Sequence, residues 1–204
     1  MATIFDLIDD GDAEGVRALL ARDPAVASAR DEQGLSALMR AAYRGGGEVA
    51  EAIRGAEPEL DPWDRLLNGE ADGLPAPGAR SPDGFTPLHI AVFAHNAGAV
   101  RALLAAGADP NELATASFAE VTALGTAATF GANDIAEILL DHGADTERTA
   151  DHGNTPLHSA LANGNRALVE LLLARGANPH ARLADGRTTA DLAPNDELRA
   201  LLEP

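Results

Sequence analysis

The 204-residue chain contains no cysteine and no lysine. Without a thiol there is no disulfide framework, no thiolate nucleophile and no cysteine-ligated zinc. Without a lysine amine there is no Schiff base, no phosphate-loop lysine and no side-chain ubiquitin acceptor. All 15 basic residues are arginine; with heavy alanine usage, this reads as codon bias and implies no mechanism. Aromatics make up only 3% of the chain against 46% hydrophobic residues, so the core must be built from alanine and leucine. Such small side chains let thin helices stack closely, which suits a repeat array better than a sandwich or barrel. There is no run of 18 apolar residues and no basic-then-apolar opening stretch. We therefore expect no membrane span and no cleaved leader, and a cytoplasmic location. The net charge of −17 repels phosphates at long range and argues against nucleic acid, while a partner with a basic surface remains compatible.

What the chain does have is self-similarity. Thr86-Pro87-Leu88-His89 recurs 69 residues later as Thr155-Pro156-Leu157-His158, with a degenerate copy, Thr122-Ala123-Leu124-Gly125, between them. Ser36-Ala37-Leu38-Met39 lies upstream and Thr188-Thr189-Ala190-Asp191 downstream. A period of about 33 residues indicates a stacked solenoid, in which no unit buries its own apolar face. Thr or Ser accepts from the free N–H groups of the helix it starts, and Pro at the next position needs no N–H there.

Beyond the tetrapeptide, Gly107-Ala108-Asp109, Gly143-Ala144-Asp145 and Gly176-Ala177-Asn178 each follow a Leu-rich helix, and Asp83-Gly84, His152-Gly153 and Asp185-Gly186 precede helix starts. In these features the chain resembles the ankyrin repeat family over nearly its whole length. The resemblance implies an all-α ankyrin-repeat solenoid of about six helix-turn-helix units plus a C-terminal cap. Mapped onto this sequence, it implies a capping repeat at 1–35, repeat 2 at 36–56, a truncated repeat 3 at 57–85, repeats at 86–121, 122–154 and 155–187, and a cap at 188–204. The turn inside each unit is marked by Gly11, Gly45, Gly69, Gly131 and Gly164, with His95 substituting once. Second helices are expected near Ala13–Ala21, Glu48–Arg54, Ala99–Ala105, Ile135–Asp141 and Ala167–Ala174, and a last helix at Asn195–Leu202. In repeat 3, Pro75-Ala76-Pro77-Gly78 stands where the second helix should be and cannot continue one. Glu120 occupies a finger position where the family has Gly, a slot that favours positive φ.

Catalytic chemistry finds little support in this sequence. His89 and His158 belong to the helix-start motif, where the family uses them structurally. His142 and His152 flank one finger with no matching carboxylate pattern, so no metal site is expected. There is no nucleophile elbow and no phosphate cradle. We expect no catalytic residue and no cofactor. Two acidic groups, Asp6, Asp9, Asp10 and Asp12, and Glu57, Glu59, Asp61 and Asp64, read as solvated caps and links. Five of the seven aromatics, Tyr43, Phe85, Phe93, Phe118 and Phe130, fall where such arrays turn their concave side or fingers outward, and aromatic anchors dominate interface energetics. The resemblance therefore implies a protein-interaction module. Its partner-facing residues would be Leu35, Tyr43, Arg44, Phe85, Phe93, Phe118, Val121, Phe130, His152, Asn154 and Arg187. The alternative is an enzyme or small-molecule binder using the gap in repeat 3, where Trp63, Tyr43 and Phe93 would line a pocket with Asp61 or Asp64 at its edge.

Overall fold

The computed structural model describes residues 2–116 and 119–203 and shows a ladder of short helices. Helices α1 (Ile4–Asp9) and α2 (Ala13–Arg22) form the first pair, and α3 (Ala37–Tyr43) and α4 (Gly47–Gly55) the second. Helix α5 (Pro62–Leu67) follows without a partner. Then come α6 (Pro87–Phe93) with α7 (Ala97–Ala105), α8 (Ala123–Phe130) with α9 (Asn133–Asp141), and α10 (Pro156–Ala162) with α11 (Arg166–Ala174). The short α12 (Thr189–Leu192) and α13 (Asp196–Ala200) complete the order. Helices of 4 to 10 residues are too short to be stable alone in water, so stacking has to hold them. First helices pack on one another as an inner row, α1–α3–α5–α6–α8–α10–α12. Second helices form an outer row in two pieces, α2 on α4 and α7 on α9 on α11.

Local chemistry explains where these helices start. The side chains of Thr3, Ser36, Asp61, Thr86 and Thr122 each accept a backbone N–H from the first turn they cap, a contribution of about 1 kcal/mol apiece. Pro62, Pro87 and Pro156 occupy the first helical position, where no N–H is required. The turn joining the two helices of a pair needs a left-handed residue. Gly11, Gly131 and Gly164 supply it at φ of 69°, 70° and 65°, and His95 adopts 52°.

Two expectations need correction. Helices α7 and α9 begin two residues earlier than the apolar periodicity indicates, at Ala97 and Asn133. Their first turns face outward, so the apolar pattern starts late; the Asn96 side chain caps α7 by accepting from Ala99. Glu120 is not left-handed. It lies in β2 (Ala119–Val121), paired antiparallel with β1 (Ala114–Ala116) so that Thr115 faces Glu120. A hairpin closes that finger, and the Glu120 N–H donates to Asp151 Oδ2 of the next finger at 2.8 Å.

The interruption at α5 divides the core. One buried cluster lies under the first two pairs, with Ile4, Ile8, Val16, Leu20, Leu38 and Ile53. The larger runs from Leu35 and Met39 to Leu202. Residues 74–80 form no helix, and Leu74 alone of this stretch packs on the larger cluster.

Candidate interaction surface

The wall of the site is built from the ends of inner helices. Tyr43 closes α3, Phe93 closes α6 and Phe130 closes α8, while Phe85 immediately precedes the Thr86 cap. Because the inner helices stack in register, these rings meet in a chain. Ring centroids are 6.0 Å apart for Phe85 and Tyr43, 5.4 Å for Tyr43 and Phe93, and 5.1 Å for Phe93 and Phe130. The last two pairs are edge-to-face, at 71° and 86°, a geometry worth about 0.5–1.5 kcal/mol per pair beyond burial. Exposure rises along the wall: Tyr43, Phe85 and Phe93 are half-buried, whereas Phe130 is 48% exposed, the one exposed large hydrophobic among the described residues. The Tyr43 hydroxyl is buried and faces the Asp83 carboxylate without closing a hydrogen bond of normal geometry. Burial, reinforced by that carboxylate, pushes its pKa upward. The other Asp83 oxygen accepts from the Ser81 hydroxyl at 2.5 Å.

Beside this wall lies a cavity of about 300 Å³. Its floor carries Ile90 and His89, its far side Val121, Gly125, Thr126 and Thr129, and its finger edge Ala150 and Asn154. The third residue of each inner helix accounts for it. In α6 that residue is His89, whose Nε2–H donates to the Val121 carbonyl at 3.0 Å. Since a carbonyl can only accept, Nδ1 is the bare nitrogen, and the Thr86 hydroxyl donates to it at 2.7 Å. Burial holds the His89 pKa down at about 4. In α10 it is His158, also buried and also shifted down by burial, with Nδ1 accepting from the Thr155 N–H at 3.2 Å. In α3 it is Met39, fully buried. In α8 it is Gly125, and the space an imidazole would occupy between Thr122 and the next finger is left open to the cavity.

Of the two acidic groups, Asp6, Asp9, Asp10, Asp12, Glu57 and Glu59 are exposed, as expected of solvated caps and links, whereas Asp61 is half-buried and Asp64 is buried. Asp12 caps α2, Asp6 completes the capping box of α1 by accepting from the Thr3 N–H at 2.7 Å, and Asp9 accepts from Arg40 at 2.9 Å and Arg44 at 3.1 Å. Asp61 caps α5, accepting from the Trp63 and Asp64 N–H groups. Asp64 is 2% exposed, accepts from the Ser36 hydroxyl, and lies 3.7 Å from Arg30, which also pairs with Asp61 at 2.9 Å. Burial pushes the Asp64 pKa above its ordinary value, against the pull of the Ser36 hydrogen bond.

The structure gathers Tyr43, Phe85, Phe93, Val121, Phe130 and Asn154 around one cavity. It does not bring the others there. Leu35, expected to face a partner, is 6% exposed and belongs to the larger core, because its side chain points inward from the turn. Arg44 is exposed and engaged by Asp9, and Arg187 by Asp185 at 2.7 Å. His152 is exposed with φ 59°, and Phe118 lies outside the described residues. Trp63 packs half-buried against the core and lines neither this cavity nor the shallower depression beyond Phe93 that Ala42, Leu67 and Ala94 border. Sequence reasoning missed Gly125, Thr126, Thr129 and Ala150. The signal for Gly125 was present, as the one glycine at the motif's histidine position.

Among the described residues no group of three His, Asp or Glu side chains is placed to hold a metal ion, and no helix is long and apolar enough to cross a membrane. The sequence profile for ankyrin repeats in three copies matches residues 10–114 and again 88–182. The Neurogenic locus Notch protein of Drosophila melanogaster is 36% identical over 141 residues, which is 61% of this chain and 5% of that protein. Human BCL-6 corepressor-like protein 1 is 40% identical over 81 residues, 40% of this chain and 4% of the relative. The putative ankyrin repeat protein FPV031 of Fowlpox virus is 39% identical over 90 residues, 44% and 26% of the respective lengths. The chain thus spans only a small part of the curated relatives it matches. With two overlapping profile matches covering most of the stacked helix pairs, the chain belongs to the ankyrin repeat family.

Proposed function

We propose that this protein is a cytoplasmic protein-interaction module that grips a partner through the concave, inner-helix side and the fingers. The observation that carries the reading is the Tyr43–Phe93–Phe130 wall, a continuous apolar strip ending in a half-exposed ring beside a cavity. A packed aromatic strip rimmed by polar residues is the anatomy of an interface core. The surplus of acid favours a partner with a basic surface, whose association weakens as salt rises because exposed charges are screened beyond about 8–10 Å.

The test is affinity capture from the native host with wild type and with Phe130→Ala in parallel, followed by a direct binding measurement on the partner recovered. Phe130→Ala is expected to fold normally and to weaken binding by about 1–3 kcal/mol. Equal binding by wild type, Phe130→Ala and a Val121→Asp finger variant would overturn the reading.

A further inference from the structure

The cavity beside Gly125 has a chemistry of its own. At the matching position of α6 an imidazole fills the space between its cap and the next finger, sealed by hydrogen bonds to Thr86 and Val121. In α8 nothing fills it, and Ala150 and Asn154 of the next finger line the opening instead. The remaining walls are mainly aromatic or aliphatic, with Tyr43, Phe93, Phe130 and Ile90, and the Thr126 and Thr129 hydroxyls on the far side already donate to the Thr122 and Gly125 carbonyls. About 300 Å³ is at the lower end of the range for ligand sites, roughly 300–1,000 Å³, so the space suits one large side chain better than a cofactor. The finger edge is acidic. Glu120, exposed, lies in β2 next to Val121, and Asp151 follows Ala150; the two are tied by the Glu120 N–H bond to Asp151 Oδ2. Neither carboxylate has an arginine partner among the described residues, whereas nearby Glu112 is neutralised by Arg80.

We infer that this cavity receives a single aromatic or large aliphatic side chain from a partner peptide, with a flanking arginine or lysine directed at Glu120 and Asp151. The inference rests on the interaction reading above and assigns the partner segment its chemistry: an apolar anchor in a basic context. Gly125 is the residue that determines specificity, since its missing side chain is the anchor's seat. Arg148 stands on the same finger, so charge preference has to be tested apart from the anchor.

The probe is an acetylated heptapeptide with a central phenylalanine flanked by arginines, titrated into the ¹⁵N-labelled protein. Controls replace the phenylalanine with alanine, or both arginines with glutamate. The phenylalanine–arginine peptide is expected to shift the Gly125, Thr126 and Asn154 amides and to bind at least about tenfold more tightly than either control. Gly125→His should abolish that binding while melting no lower than wild type. The added Cβ would meet Thr122 Oγ1 at 2.9 Å, but the Thr86 hydroxyl already shows the adjustment, lying 3.4 Å from the His89 nitrogen where Thr122 lies 2.9 Å from that of Gly125. Thr129→Trp, at an exposed position on the rim, blocks the mouth independently and should give the same loss. Equal binding of the alanine or glutamate peptide, no response to any peptide, or full binding by both variants would overturn the inference. A native partner that tolerates Gly125→His yet is lost by Phe130→Ala would remove this pocket while leaving the interaction reading in place.

Discussion

Ser36 donates its hydroxyl to Oδ1 of Asp64, the third residue of the next inner helix. Between α6 and the following finger the link runs forward, from His89 to the Val121 carbonyl. Met39 in α3 has no group that could do this, so across the second and third repeats the link is made by a carboxylate of the following helix, which accepts from the Ser36 cap behind it. It falls where the outer row is interrupted and the core divides, and there Asp64, Arg30 and Asp61 form a polar tie between neighbouring units.

Asp64→Ala removes the acceptor and leaves the Ser36 hydroxyl without its partner across the repeat boundary. Stability should fall by about 1–3 kcal/mol in urea unfolding, the usual cost of stranding a buried polar group. A change below about 0.5 kcal/mol would show that the tie is idle.

Acid should weaken the fold through its buried histidines. His89 is neutral in the fold with a pKa of about 4 against 6.5 ordinarily, so between those values the unfolded chain binds the proton and the folded one does not. Stability from this residue is therefore complete above pH 6.5 and is lost as pH falls toward 4, by up to about 3 kcal/mol at 1.36 kcal/mol per unit. His158 acts in the same direction. His89→Gln should flatten the stability profile between pH 6.5 and 4; an unchanged slope would mean that His89 is not the group titrating.

The rings of the wall should separate on truncation. Phe130, half-exposed, should cost under about 1 kcal/mol of stability as alanine, whereas Phe93, half-buried and in contact with two rings, should cost about 2–3 kcal/mol. Thermal melts of the two single variants check this. Equal losses would mean that the wall is uniform packing and not a surface.

His95 holds a left-handed conformation, φ 52°, that glycine occupies in the sister turns, and its side chain is exposed. His95→Gly should stabilise by about 0.5–1 kcal/mol as backbone strain relieved exceeds the entropy glycine adds to the unfolded chain. Gly131→Ala, the converse change, should destabilise by about 1 kcal/mol, and paired melts distinguish the two.

The family and the helical solenoid were legible in the chain because they rest on local chemistry. A cap hydroxyl accepts the N–H three residues ahead of it, Pro fits the first turn, and a left-handed residue makes the next turn, all within a few positions of each other. The candidate site was legible only in part. The motif register brought out Tyr43, Phe93 and Phe130 together, but how much of each ring stays in water depends on residues about thirty to forty positions away. Leu35 and Asp64 turned inward for the same reason: whether a side chain beside a turn is buried is set by the neighbouring repeat that stacks on it. Glu120 escaped the left-handed slot because its finger pairs with itself as a hairpin, a contact that no single position announces. At Gly125 the sequence determined that a side chain is absent, and only the stacking of α6, α8 and the next finger around that absence turned it into a cavity.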